Sequence, residues 1–207
     1  MENLFYKVKD IKQMNKKYKI VALIGKAGSG KDTLLQYLLK DNDAFNEIIS
    51  CTTRPPREGE KNGVAYKFLT DEDFAARVIA GEMVEAAIFR DWAYGTPYDS
   101  LDIDKINIGV FNPSGIETMK WNKNIDLIVF YVTCSDKIRL IRQLNRETEP
   151  DIDELFRRYQ TDREDFFDLD FDLEEDFFTA DFNFIPVKNE EWSDLVSCER
   201  TILENIV

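Results

Sequence analysis

The chain's clearest pattern is Ile20-Val21-Ala22-Leu23-Ile24, an apolar run with no polar position inside it, which predicts a strand buried on both faces. A glycine-rich turn, Gly25–Gly30, interrupts the run. Leu34, Leu35, Leu38 and Leu39 then recur at helical spacing and give one apolar face. Two more strand-like runs follow at Ile106–Phe111 and Leu127–Val132. Ser135 is placed as an N-cap ahead of Ile138, Ile141 and Leu144, and Pro150 ends that segment. Strands alternating with helices predict an α/β fold, a three-layer core with a central parallel sheet covered on both faces.

Between the first two buried strands the pattern changes. Residues 49–70 are short-period, polar and turn-rich, with Pro55, Pro56, Gly59 and Gly63, and alternation appears around Val64–Leu69. Thr70 with Asp73 predicts a capped helix through Phe74, Val78 and Ile79 that stops at Gly81. The expected organisation is a basic extension over 1–18, a core over 19–48 and 102–207, and a small mixed β insert over 49–101. Residues 164–181 hold nine acids, no bases and five phenylalanines, and are expected to form a helix with a solvated acidic face and a phenylalanine face on the body.

With 207 residues, 43% of them apolar, there is material for one domain carrying an insert. Histidine is absent, which excludes Ser-His-Asp and Cys-His nucleophile pairs, imidazole bases and histidine zinc sites. The net charge of −13 argues against nucleic acid polymers and anionic membranes as partners. Yet residues 1–31 carry eight lysines against two acids, a local excess suited to a small anion. Cys51, Cys134 and Cys198 are far apart and form no C-x-x-C, so a reducing, cytoplasmic setting is expected. No apolar run approaches membrane-spanning length.

Gly25-Lys26-Ala27-Gly28-Ser29-Gly30-Lys31 matches G-x-x-x-x-G-K between a buried strand and an amphipathic helix, the setting a phosphate loop requires. Glycines let successive N–H groups turn toward phosphate oxygens, the helix adds its positive end, and Lys31 reaches the β- and γ-phosphates. This predicts a nucleoside triphosphate site. The next position normally supplies a hydroxyl to Mg²⁺; here it is Asp32, followed by Thr33. Asp32 is expected to hold the metal, directly or through water, since a carboxylate suits Mg²⁺ and a helix N-terminus alike. Asn122-Lys123-Asn124-Ile125 lacks the acid a guanine-reading N-K-x-D needs and is set aside.

The insert supplies an acceptor. Arg54 and Arg57 lie on a proline-stiffened loop, and the planar guanidinium fork suits a phosphate monoester. Tyr66, Tyr94 and Thr96 add hydroxyls, and Glu85 offers a carboxylate able to accept from a base's N–H groups. From Ile49 to Thr96 the chain resembles the guanylate kinase family: S-x-T-T-R-x-P-R-x-G-E, G-x-x-Y-x-F, G-E-x-x-E and Y-G-T occur in order, and with the phosphate loop the resemblance spans about 25–160. It implies a P-loop kinase fold with a helical lid over about 142–165. Arg54, Arg57, Tyr66 and Tyr94 would contact the acceptor phosphate, and Ser50, Glu85 and Thr96 would read guanine. Arg142, Arg146 and either Arg157 or Arg158, the latter keeping the better spacing with Leu155 and Tyr159, would close over the donor phosphates. Asn189 would lie near the donor.

One departure stands out. Where the family shows D-x-D at a core strand end, this chain has Val110-Phe111-Asn112. Asn112 is a mixed donor and acceptor, and each lost charge-assisted contact is worth about 1.5–3 kcal/mol, so guanine preference is expected to relax. One acid is gone from the strand while Asp32 appears on the loop, which suggests that the metal's carboxylate has moved. The resemblance implies transfer from ATP–Mg²⁺ to GMP or dGMP, by a monomer or homodimer. A kinase for another monophosphate and a non-catalytic phosphoprotein-binding module are the alternatives.

Overall fold

The computed structural model describes residues 16–206 except 41, 58, 90, 147 and 171–182. Most of the basic extension and most of the acidic, phenylalanine-rich stretch therefore lie outside the described residues.

The described residues form two sheets. The larger has five strands in the order β2 (Phe45–Glu47), β7 (Ile106–Val110), β1 (Tyr18–Ile24), β8 (Ile125–Thr133) and β9 (Ile185–Lys188), every pairing parallel. Helices α1 (Lys31–Leu39), α3 (Pro113–Met119), α4 (Asp136–Leu144) and α5 (Ile152–Asp165) lie between its strands along the chain, and α6 (Asp194–Asn205) follows the last of them. Alternation along β1 explains the three layers. Val21 and Leu23 face a cluster with Leu34, Leu38, Leu195 and Ile202 from α1 and α6. Ile20, Ala22 and Ile24 face a second cluster with Ile116, Met119, Phe166 and Leu169. The expected uninterrupted apolar strand is thus covered on both sides. Pro186 does not prevent β9, because among the described residues β9 is an edge strand, where a missing N–H is tolerated.

The insert forms the smaller sheet, in the order β4 (Lys67–Phe68), β3 (Cys51–Thr52), β6 (Trp92–Pro97) and β5 (Met83–Phe89). The β3–β4 pairing is parallel and the others antiparallel, so the sheet is mixed. Helix α2 (Asp71–Ile79) starts as the spacing predicts, with Thr70 Oγ1 accepting from the Asp73 N–H at 3.1 Å, and Gly81 follows its end at a φ of +70°. A short 3₁₀ turn, Tyr98–Ser100, leads back to the core. Its return is knitted to β7 by Asn107, whose Oδ1 accepts from Asp102 N–H at 2.7 Å and from Asn46 Nδ2 at 2.8 Å.

Two local expectations are met only in part or not at all. Ser135 occupies the N-cap position of α4, as expected, in extended conformation, but its side chain makes no capping hydrogen bond. In the described part of the acidic stretch, Phe166 is buried while Phe167 is 66% exposed, so the phenylalanines do not share one packed face.

Candidate active site

β1 delivers the chain to Gly25 at the carboxyl end of the parallel sheet, where open α/β sheets form their ligand crevices. Gly28 and Gly30 adopt φ of +79° and +91°, the left-handed region that glycine enters without penalty. Gly28 is also constrained by space, since a Cβ there would sit 2.7 Å from the Arg139 carbonyl oxygen. Helix α1 begins at Lys31, so its free N–H groups and positive end are at the loop. The Lys31 ammonium donates to the carbonyls of Gly25 at 2.6 Å and Lys26 at 3.1 Å, and burial lowers its pKa from the usual lysine value.

Gly25, Ala27, Gly28, Gly30, Lys31, Asp32 and Thr33 line a cleft of about 990 Å³. Ser29 is 1% exposed and does not line the cleft, its Oγ buried without a hydrogen-bond partner among the described residues. Asn189, directly after β9, is 3% exposed and donates from Nδ2 to the Ser29 carbonyl at 2.9 Å.

The insert forms the other wall. Glu85 on β5 and Thr96 on β6 are cross-strand partners, and Thr96 Oγ1 donates to Glu85 Oε1 at 2.9 Å. Ser50 Oγ is 3.4 Å from the Thr96 hydroxyl. Glu85 is 8% exposed, and burial raises its pKa to about 7. Thr96 is fully buried behind it, whereas Ser50, Glu85, Tyr66 and Tyr94 all line the cleft. The two tyrosine rings meet edge-on at 6.0 Å.

The two loop arginines are separated by the structure. Arg57 lines the cleft, its pKa lowered by burial and then by the nearby Arg54 and Arg158 cations. Arg54 does not line it. Its Nη2 donates to both Glu60 carboxylate oxygens at 3.0 Å, and its guanidinium lies 5.6 Å from the Tyr66 ring centroid and 5.7 Å from that of Phe68. Arg54 therefore shapes the wall that carries Tyr66.

Asn112 lines the cleft, but its Oδ1 is committed to capping α3, accepting from the Gly115 N–H at 2.9 Å and the Ser114 hydroxyl at 3.2 Å. Only the amide's donor half remains for a ligand.

Arg142, Arg146 and Arg158 line the same cleft. Arg142 is tied to the turn after β9, donating to the carbonyls of Asn189 at 3.0 Å and Glu190 at 2.9 Å. Of the two candidates on α5, Arg158 lines the cleft and Arg157 does not. Both pair with Glu154, and Arg157's hydrogen bonds, ahead of those from Arg158, pull that carboxyl down to about 2.

Sequence reasoning missed Asp162, Gln143, Phe89 and Trp192, which also line the cleft, and the buried Arg139 behind it. Asp162 carried one usable signal, its position four residues after Arg158 on the same helical face.

Residues 17–179 match the family model described as guanylate kinase. The guanylate kinase of Frankia casuarinae is 43% identical over 91 residues, 44% of this chain and 49% of that protein. The guanylate kinase of Helicobacter pylori is 34% identical over 140 residues, 66% of this chain and 68% of that protein. The chain spans about half the length, or less, of the first curated relatives it matches. A crystal structure of guanylate kinase from Anaplasma phagocytophilum superposes with a TM-score of 0.56 at 20% identity, over 92% of this chain and 87% of that one, a likeness of fold. From the breadth of the family match and the two-thirds coverage of the Helicobacter relative, the chain belongs to the guanylate kinase family.

Proposed function

We propose that the protein is a cytoplasmic enzyme that transfers the γ-phosphoryl group of ATP to a nucleoside monophosphate, GMP or dGMP foremost. The observation that carries this reading is a single cleft lined by the phosphate loop with Lys31, by Arg57, Tyr66, Tyr94 and Glu85, and by Arg142, Arg146 and Arg158. Donor and acceptor sites on opposite walls of one cleft are what in-line transfer requires.

In this mechanism the loop amides and Lys31 bind the donor phosphates. Arg57 and the hydroxyls of Tyr66 and Tyr94 hold the acceptor phosphate. The Glu85 carboxylate, aligned by Thr96, accepts from the N–H edge of guanine, and the Ser50 hydroxyl faces O6. Arg142, Arg146 and Arg158 neutralise charge spreading over the transferred group. A monophosphate with its second pKa near about 6 is already mostly ionised at neutral pH, so no general base is needed and the missing histidines are no handicap.

Mg²⁺ would be held by Asp32, with Thr33 beside it, and would supply charge neutralisation. The described residues hold no group of three or more acidic, cysteine or histidine side chains placed for a metal. A carboxylate and a neighbouring hydroxyl at the loop suit Mg²⁺, which keeps several waters and binds through one or two carboxylates plus substrate phosphates. Val110, at the end of β7, is apolar and offers the metal no carboxylate; Asp162, the other acid at the loop, is engaged by the Ala27 N–H and Arg139.

A second reading, a kinase for another monophosphate, draws on Asn112, whose oxygen is used internally. ADP release measured across all common ribo- and deoxyribonucleoside monophosphates tests both. Highest kcat/KM with GMP or dGMP supports the first, highest with another acceptor supports the second, and no turnover with ATP refutes the kinase assignment.

A further inference from the structure

Arg139 is 1% exposed, and a guanidinium that buried persists only when fully paired. Each of its branches has a partner. Nε donates to the Ala27 carbonyl at 2.9 Å, Nη2 to Asp162 Oδ2 at 2.5 Å and Nη1 to Asp136 Oδ1 at 2.7 Å. Tyr159 lies under the guanidinium, with its ring centroid 5.5 Å away, and donates its hydroxyl to Asp136 at 2.6 Å. Asp162 Oδ2 completes the circuit by accepting the Ala27 N–H at 2.8 Å. Two successive peptide units of the phosphate loop are thereby fixed, one through its N–H and the next through its C=O. In such a loop, peptide orientation decides whether a donor or an acceptor faces the anion.

The same contact anchors α5. Glu154, Arg158 and Asp162 are spaced by four residues, lie on one helical face and all line the cleft. Pinning Asp162 to the loop fixes the face from which Arg158 projects. Lys26 and Tyr131 add a second tie to the residues beyond α5 through Asp170.

We infer that Arg139 and Asp162 are a positioning pair that sets the phosphate loop's backbone and docks α5 on it, presenting Arg158 to the donor phosphates. This rests on reading the cleft as a kinase site. Neither residue is asked to act on the reacting atoms.

The test compares wild type with Asp162→Ala, Asp162→Asn, Arg139→Leu and the Arg139→Leu/Asp162→Ala double variant. It uses thermal melts, hydrogen exchange over residues 25–31, steady-state kinetics with ATP and GMP, and calorimetric ATP titration. Asp162→Ala and Arg139→Leu are expected to lower kcat per folded molecule about ten- to a hundredfold, the cost of displaced catalytic groups, and to raise the ATP KM. The GMP KM should stay within about twofold because the insert wall is untouched. Exchange over 25–31 should rise. Asp162→Asn, which keeps an acceptor for Ala27, should fall between. Since the residues act as a unit, the double variant should be no worse than the worse single. Three results each overturn the inference: a lowered melt with unchanged kinetics per folded molecule, additive losses in the double variant, or tighter ATP binding by Asp162→Ala. If Asp162→Ala does not fold, Asp162→Asn against Arg139→Leu carries the same comparison. Wild type that binds no ATP overturns the kinase reading and this inference with it; wild-type turnover with unmoved variants overturns the inference alone.

Discussion

Glu85 ties substrate recognition to pH in a way that can be worked out in advance. Its pKa is raised by burial from the ordinary 4.5 to about 7, with the Thr96 hydrogen bond only partly opposing the shift. A raised carboxyl pKa means that the folded protein binds the proton more tightly than the unfolded chain does. The resulting stabilisation is fully present below about pH 4.5 and is lost as pH rises through 7, an effect of about 3 kcal/mol. Guanine recognition runs the other way, since only the carboxylate accepts from two N–H groups. The GMP KM should therefore rise about tenfold between pH 8 and pH 6, from the fraction of Glu85 left ionised. Glu85→Gln keeps an oxygen for Thr96 but does not titrate. Its GMP KM should be about tenfold or more above wild type at pH 8, and should change below that only through the substrate phosphate's own ionisation. Urea denaturation from pH 5 to 8 should show the wild type losing stability relative to Glu85→Gln. A wild-type GMP KM that follows the variant's pH dependence would refute the reasoning, because the buried carboxyl would then not be the group that binds the base.

Gly28→Ala forces a side chain into positive φ and against the Arg139 carbonyl, so it should cost about 1–3 kcal/mol in denaturant and weaken ATP binding; unchanged affinity by calorimetry would count against the loop assignment. Arg57→Ala should raise the acceptor KM at least about tenfold at nearly constant stability, whereas Arg54→Ala, which strips Glu60 and the Tyr66 wall of a partner, should lower the melting temperature as well. Melts and acceptor KM measured together distinguish them, and the reverse pattern would be contrary to the geometry. Asp32→Ala should raise the Mg²⁺ concentration needed for half-maximal rate, and Val110→Asp placed in Asp32→Ser should recover part of the loss. Mg²⁺ titration reads both, and an unaltered midpoint removes Asp32 from the metal.

The parts of the fold legible in the sequence were those with a local signature. Ile20–Ile24 and Leu127–Val132 announced themselves as apolar runs, and the phosphate loop by its glycine spacing. β2 and β9 did not, being three and four residues long with mixed polarity, and Pro186 argued against the latter until its edge position was known. In the site, chemistry was legible and assignment was not. Arg54 and Arg57 carry identical groups three residues apart, and Glu60 is what separates them by claiming the first. Helical spacing left Arg157 and Arg158 both open while favouring Arg158, and it is Arg158 that lines the cleft. Arg139 was beyond reach, since a buried arginine is explained only by its partners, and Asp162 lies 23 residues away on another helix. Ser135 had the right identity for a cap and makes no capping bond.

The margins of the five-stranded sheet bear on how the protein behaves when concentrated or partly unfolded. On one side β2 offers only three residues. On the other, the Asn189 N–H is donated to Thr133 on β8, so by the two-residue alternation of a strand Pro186 has its nitrogen on the open side. A foreign strand approaching there meets a position with no hydrogen to donate and one exposed lysine, Lys188, beyond it. Among the described residues, both borders thus offer little template for edge-to-edge growth into aggregates.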